Sequence, residues 1–184
     1  MQSTLRRQWL KRFVLLAAAP ALPSLPAWSA AADAVASADA AYPEVFPRPL
    51  VFPRDFGAHP EYRTEWWYMT GWLGEAADRM GFQVTFFRSR TLHPETNPSR
   101  FAPRQLLFAH AALAMPGEGR LRHAEVAGRA GPAGAAFSTA DTGVELAGWS
   151  LHRTGDDHYK VSIPTDSFTL ELVAIPTQAP VLRG

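Results

Sequence analysis

Apolar and polar side chains alternate along most of the chain after residue 60, which is the spacing of β-strands. The first such segment is 64-TEWWYMTGWL-73. Its two faces carry Glu65, Trp67, Met69 and Leu73 on one side, and Trp66, Tyr68 and Trp72 on the other. Because both faces are largely apolar, we expect this strand to be covered, at least in part, on both sides.

Further segments of the same character are separated by Gly, Pro and Asp residues, which are typical of turns. They are 80–90, 105–114, 121–126, 144–153, 159–163 and 168–175. Only 105-QLLFAHAALA-114 has helical propensity, and its length and its neighbours favour a strand. About seven strands without crossover helices predict an all-β fold, either an antiparallel barrel or a sandwich.

The first thirty residues have a basic start, a short apolar run and a small-residue end, which are the three parts of an export signal. The sequence 6-RRQWLK-11 resembles a twin-arginine signal built on Arg6 and Arg7. An ordinary Sec signal is the alternative. We therefore expect residues 1–30 to be removed and the mature protein to be periplasmic or secreted.

Between this signal and the first strand, the sequence predicts a disordered spacer followed by an extended arm. Residues 31–41 are mainly Ala, Ser and Asp and are typical of disorder. Prolines at 43, 47, 49, 53 and 60 exclude helix and central strand, and so predict an extended arm across the domain surface. We accordingly divide the chain into a signal (1–30), a spacer with the arm (31–52) and a β domain (53–184).

Composition narrows the possible partners. Four of the 18 basic residues lie in the signal, which leaves 14 against 17 acidic residues and no basic patch suited to nucleic acid. Cysteine is absent, so the fold depends on its hydrophobic core alone. The six histidines show no metal-ligand spacing, and no phosphate-binding glycine loop is present. The sequence therefore predicts neither a metal nor a cofactor.

Several segments together resemble a known family. In order, HPEYRTEWWYMTGWL, GFQVTFFRSR, QLLFAHAAL, AGWSL and the Pro-rich end are similar to the AttH-like, carotenoid 1,2-hydratase family. The resemblance implies a lipocalin-like antiparallel β-barrel, one of two that such proteins normally carry in tandem. It also implies an apolar ligand, such as an isoprenoid or another lipid. A second lipocalin-like domain is expected in full-length relatives.

Glu65, whose carboxylate lies among aromatic residues in the sequence, is the candidate catalytic residue. Hydration of a C=C bond needs a proton donor and shelter for a carbocation, and a carboxyl group among aromatic faces could supply both. The alternative is that the rings are core and that Glu65 pairs with Arg63, Arg88 or another arginine. A ligand inside the barrel would contact the inward apolar side chains Trp67, Met69, Phe82 and Phe86.

Two functional classes therefore remain open, with weaker options beside them. One is a hydro-lyase resembling carotenoid 1,2-hydratase, and the other is a non-catalytic lipid-binding protein of the cell envelope. A partner of a membrane transporter is a weaker option, and a secreted hydrolase is disfavoured because no G-x-S-x-G motif is present. Arg88 is expected to stack on a tryptophan at the barrel floor, and His110 to be a hydrogen-bonded core histidine.

Overall fold

The computed structural model describes residues 42–131 and 134–181. The signal, with Arg6 and Arg7, and residues 31–41 of the spacer lie outside them. The described chain forms two short 3₁₀ turns, at Arg54–Phe56 and Ala76–Asp78, and nine strands. The strands are β1 (Thr64–Leu73), β2 (Met80–Arg90), β3 (Gln105–Ala114), β4 (Leu121–Arg129), β5 (Ala135–Phe137), β6 (Gly143–Leu146), β7 (Trp149–Arg153), β8 (Tyr159–Pro164) and β9 (Thr169–Ala174).

The strands form two antiparallel sheets in which neighbours in sequence pair with each other. The first sheet has the order β1-β2-β3-β4, and the second has the order β5-β6-β7-β8-β9. An all-β antiparallel fold is thereby confirmed. The finer prediction of a closed barrel is not met, because the pairings of the described strands do not join β1 to β9.

The core lies between the two sheets and follows the alternation of the sequence. The register sets Trp67 opposite Phe86 and Met69 opposite Val84, all on the inward face of the first sheet. Side chains such as Phe86 and Leu107 meet Val144, Leu146 and other apolar residues of the second sheet. The two sheets approach closely at Gly128 of β4, where an added Cβ would lie 2.8 Å from the Cδ1 of Leu146.

The first three strands begin and end where the sequence pattern predicts, but the second sheet differs from the prediction. Segment 144–153 is not one strand, because a turn at Ala147 and Gly148 splits it into the hairpin β6–β7. Both turn residues have positive φ, 52° and 86°, as a tight hairpin requires. Strand β5, only three residues long, was not predicted, and β4 extends to Arg129.

The outward face of β1 is the clearest departure from the sequence prediction. Trp66, Tyr68 and Trp72 are 57%, 64% and 68% exposed. The expectation that β1 is covered on both sides is therefore wrong for the described part of the chain. Neither the proline arm nor another described segment hides these three rings from solvent.

The arm before β1 has no regular structure from residue 42 to residue 53, as its prolines predict, and then forms the single 3₁₀ turn Arg54–Phe56. Within the described residues, no helix has the length and apolar character needed to cross a membrane.

Candidate functional site

A cavity of about 430 Å³ lies between β1 and the second sheet, and it is partly open to solvent. The 3₁₀ turn and the residue after it supply one wall, and β1 supplies another. The lining residues are Asp55, Phe56, Gly57, Glu65, Trp66, Trp67, Tyr68, Met69, Thr142, Leu151 and Tyr159. The site therefore combines apolar rings and aliphatic side chains with a small group of polar ones.

Residues 54–59, which we call the strap, connect the two sheets at this cavity. On the second-sheet side, the amide of Ala58 donates to the Ser138 carbonyl at 2.8 Å, and the Thr142 hydroxyl donates to the Phe56 carbonyl at 3.0 Å. The Arg153 guanidinium also lies 4.1 Å from the centre of the Phe56 ring. The strap is thus fixed to the second sheet by main-chain hydrogen bonds and a cation–π contact.

Towards the first sheet, the strap is held by a chain of charged side chains. The His59 ring places Nδ1 2.7 Å from Glu65 Oε1 and Nε2 3.0 Å from Asp55 Oδ1. The main-chain amide of His59 donates to the other oxygen of Glu65 at 2.8 Å. Asp55 in turn accepts two hydrogen bonds from Arg48, at 2.7 and 3.0 Å. One histidine thus links a carboxylate of the strap to a carboxylate of β1.

Arg88 of β2 lies beneath this chain with no exposed surface. Its Nε donates to Glu65 at 3.2 Å, and one Nη donates to the Gln105 side chain at 2.8 Å. The other Nη donates to the carbonyls of His59 and Tyr62, at 2.9 and 3.1 Å. A planar guanidinium suits this role, because its donors point in several fixed directions at once. The expected stacking of Arg88 on a tryptophan is not found, since the cation–π contacts of the described residues are those of Arg63 and Arg153.

The protonation of this network follows from its contacts. Hydrogen bonds from Arg48, from the Val51 amide and from His59 lower the pKa of Asp55 far below its ordinary value. Burial lowers the pKa of His59, but hydrogen bonds to Glu65 and Asp55 outweigh burial and leave the pKa raised. At the far side of the cavity, burial raises the pKa of the Tyr159 phenol. Asp55 is therefore an anion, and the surroundings of His59 favour its cationic form.

The structure brings some of the predicted site residues together and separates others. Glu65, Trp67 and Met69 all line the cavity. Phe82 instead lines a second groove on the first sheet, beside Trp72. Phe86 is fully buried in the core and lines neither of these two sites. Of the partners considered for Glu65, Arg88 is the one that the geometry shows, and Glu65 shares the cavity wall with Trp67 and Met69.

Sequence reasoning missed the contribution of the strap. Asp55 and His59 were not predicted as site residues, although their four-residue spacing beside a cluster of prolines is a weak signal of a charged pair. His110 also differs from its expected buried position, because it is exposed on the outer face of the first sheet, with its ring 5.1 Å from that of Phe87. Among the described residues, no cluster of three or more His, Asp or Glu side chains could hold a metal ion.

Comparison with known proteins agrees with this architecture. The AttH-like family model matches residues 43–184. The chain belongs to the AttH-like family. A crystal structure solved as a candidate AttH from Nitrosomonas europaea is 42% identical to this member, with a TM-score of 0.65. The match covers 76% of this chain but only 42% of that one, so this AttH-like chain spans less than half of its relative's length. No curated protein matches the sequence.

Proposed function

We propose that this AttH-like domain binds a small amphipathic molecule, an isoprenoid or another lipid with one polar end, in the cavity between β1 and the second sheet. The cavity carries the proposal, because its volume of about 430 Å³ falls within the range of small-molecule sites. Trp67, Met69 and Leu151 would contact the apolar body of the ligand. Glu65 and Tyr159 mark the polar part of the lining.

The geometry favours binding over hydration of a C=C bond. Hydration requires an acid that can release a proton to carbon. The Glu65 carboxylate instead accepts hydrogen bonds from Arg88 and from the His59 amide, so that its oxygens already hold the strap and β2 in place. We therefore assign Glu65 a positioning role, and a hydro-lyase reaction would need its proton donor elsewhere, for example in a second lipocalin-like domain.

We place this binding in the cell envelope, on the basis of the twin-arginine motif at Arg6 and Arg7. A lipid carrier there would receive its ligand from a membrane or deliver it to one. A membrane transporter is accordingly the kind of partner that this function would require.

The test uses a matched pair of tryptophan variants. Trp67→Leu removes the ring in the cavity, whereas Trp72→Leu makes the same change on the opposite face of the same strand. Binding of cis-parinaric acid, a fluorescent polyene fatty acid, and its displacement by geranylgeraniol would be titrated for each. We expect Trp67→Leu to weaken binding about tenfold, since buried aromatic side chains dominate contact energy, and Trp72→Leu to leave it unchanged.

The control excludes loss of fold as the cause, provided that both variants unfold at similar urea concentrations. Equal effects of the two substitutions would place the ligand outside the cavity. Failure of the unmodified protein to bind either probe would contradict the lipid-binding proposal. Conversion of an isoprenoid alkene to its alcohol by the unmodified protein would instead favour the hydratase.

A further inference from the structure

The strap contacts the two sheets by two chemically different means. Its bonds to the second sheet are the main-chain contacts of Phe56 and Ala58, which do not titrate. Its link to the first sheet runs through His59, which pairs with Glu65 of β1 and, within the strap, with Asp55, and which changes charge near neutral pH. A change of pH therefore acts on the link that runs from Asp55 through His59 to β1, whereas the bonds of Phe56 and Ala58 to the second sheet contain no titrating group.

Both ring nitrogens of His59 face carboxylate oxygens, of Glu65 and of Asp55. An ionised carboxylate can only accept hydrogen bonds, so each nitrogen must carry a proton to bond. Only the doubly protonated imidazolium satisfies both contacts. After loss of one proton, one nitrogen presents a lone pair to a carboxylate, and an attractive contact becomes repulsive.

Other charged and titratable groups around His59 are distributed as follows. From the arm, Nη2 of Arg48 approaches Nε2 at 3.5 Å, and this positive charge opposes protonation of the ring. From β2, Arg88 donates to the His59 carbonyl and to Glu65. The Tyr62 ring lies edge-on, 6.3 Å from the imidazole centre. The two contacting carboxylates outweigh the opposing groups, in agreement with the raised pKa of His59.

The Asp55 contact is the one that deprotonation removes. The contact to Glu65 is the shorter, 2.7 against 3.0 Å, and the His59 main chain is also bound to Glu65 and Arg88. A neutral ring therefore keeps its N–H towards Glu65 and turns its lone pair towards Asp55. The segment that loses a contact is the 3₁₀ turn Arg54–Phe56, whose Asp55 and Phe56 line the cavity, and Asp55 is then held by Arg48 and the Val51 amide alone.

We propose that His59 is a pH-dependent latch, which holds the strap against the cavity when protonated and loosens the Asp55–Phe56 segment when neutral. Because the pKa of His59 is raised in the folded state, its ion pairs stabilise the strap fully below the unfolded-state pKa of about 6.5. It is lost as the pH rises through the folded value, so the latch opens above pH 6.5. The consequence for ligand entry rests on the proposed binding function, but movement of the strap does not.

Amide hydrogen exchange tests the strap without any ligand. The Gly57 amide donates to the Arg54 carbonyl and closes the 3₁₀ turn, so its protection factor reports whether the Asp55–Phe56 segment is ordered, while the Ala58 amide, bound to the Ser138 carbonyl, reports the attachment that does not titrate. We would measure them from pH 5.5 to 8.5, correct for intrinsic exchange and compare them with amides in the centre of β2. Protection of Gly57 should fall about tenfold across the titration of His59, the equivalent of one charge-assisted hydrogen bond, while the amides of Ala58 and of β2 stay unchanged.

Variants identify the titrating group. His59→Gln should give low, pH-independent protection, and Asp55→Asn, which removes one anion from the ring, should move the transition to lower pH. His93→Gln, a substitution at an exposed loop histidine, should behave as the unmodified protein. A flat profile for the unmodified protein would overturn the latch, as would an Asp55→Asn profile identical to it. If the strap loosens at high pH but the protein does not bind cis-parinaric acid, the latch proposal is supported and the binding proposal is refuted.

Discussion

Arg88 offers the sharpest test of the energetics of the site. The side chain is fully buried, and its donors are divided between Glu65, Gln105 and main-chain carbonyls that lead into β1. Arg88→Met keeps much of the length of the side chain but removes every donor. The substitution would leave the Glu65 carboxylate without its guanidinium partner and the carbonyls of His59 and Tyr62 without their side-chain donor.

Removal of one partner from a buried ion pair costs about 3–5 kcal/mol, because the remaining charge is desolvated and unpaired. With a urea m-value of about 2 kcal/mol/M, the unfolding midpoint should fall by about 1.5–2.5 M. Equilibrium unfolding followed by tryptophan fluorescence would measure this shift. The m-value should stay constant, since the surface exposed on unfolding is nearly unchanged.

The matched control is Arg100→Met, at an exposed loop position, for which we expect a change within about 0.5 kcal/mol. A double variant with Glu65→Gln should lose less than the sum of the single losses, since the two side chains share one interaction. A loss below about 1 kcal/mol for Arg88→Met would refute the conclusion that this network stabilises the fold.

Two further predictions concern the strap and the signal. Gly57→Ala should lower the melting temperature by about 3–10 °C, because the added Cβ would meet the Thr139 main chain. Gly155→Ala, with open space at its Cβ, should have little effect, and equal melting temperatures of the two variants would contradict the close packing at Gly57. The double variant Arg6→Lys, Arg7→Lys should stay in the cytoplasm, because the twin-arginine signal requires both arginines. Cell fractionation would measure this, and unchanged export would indicate the Sec route.

The sequence predicts the first sheet closely because its physical signals are strong. In β1, exposed and half-buried residues alternate over all ten positions, and Gly74, with φ of 79°, follows the end of the strand. The second sheet has weaker signals. The β6–β7 turn uses Ala147 and Gly148, whereas Asn-Gly or Asp-Gly would have marked a hairpin, and β5 is too short to show alternation.

The candidate site was predictable only in part, because alternation identifies a face but not what lies opposite it. The inward positions of Trp67 and Met69 follow from period two alone. The partners of Glu65 depend on where the arm passes, and no periodic pattern governs a proline-rich segment. The contact of Asp55 with β1 through His59 is tertiary, so only the folded chain shows that the Glu65 carboxylate at the cavity wall is bound by Arg88 and His59.

The strap has a consequence for the order in which the chain folds. Each strand pairs with its neighbour in sequence, so the two sheets can form by successive short-range steps. The bond between Thr142 and Phe56 joins positions 86 residues apart, and it can form only after the second sheet has reached its place. We therefore expect pulsed hydrogen exchange during refolding to find Ala58 protected later than the centre of β2, and simultaneous protection would contradict this order. Until that step is complete, the cavity lacks the wall that Asp55, Phe56 and Gly57 supply, and the apolar side chains of Trp67 and Met69 stay accessible to other chains, as in partly folded states that aggregate.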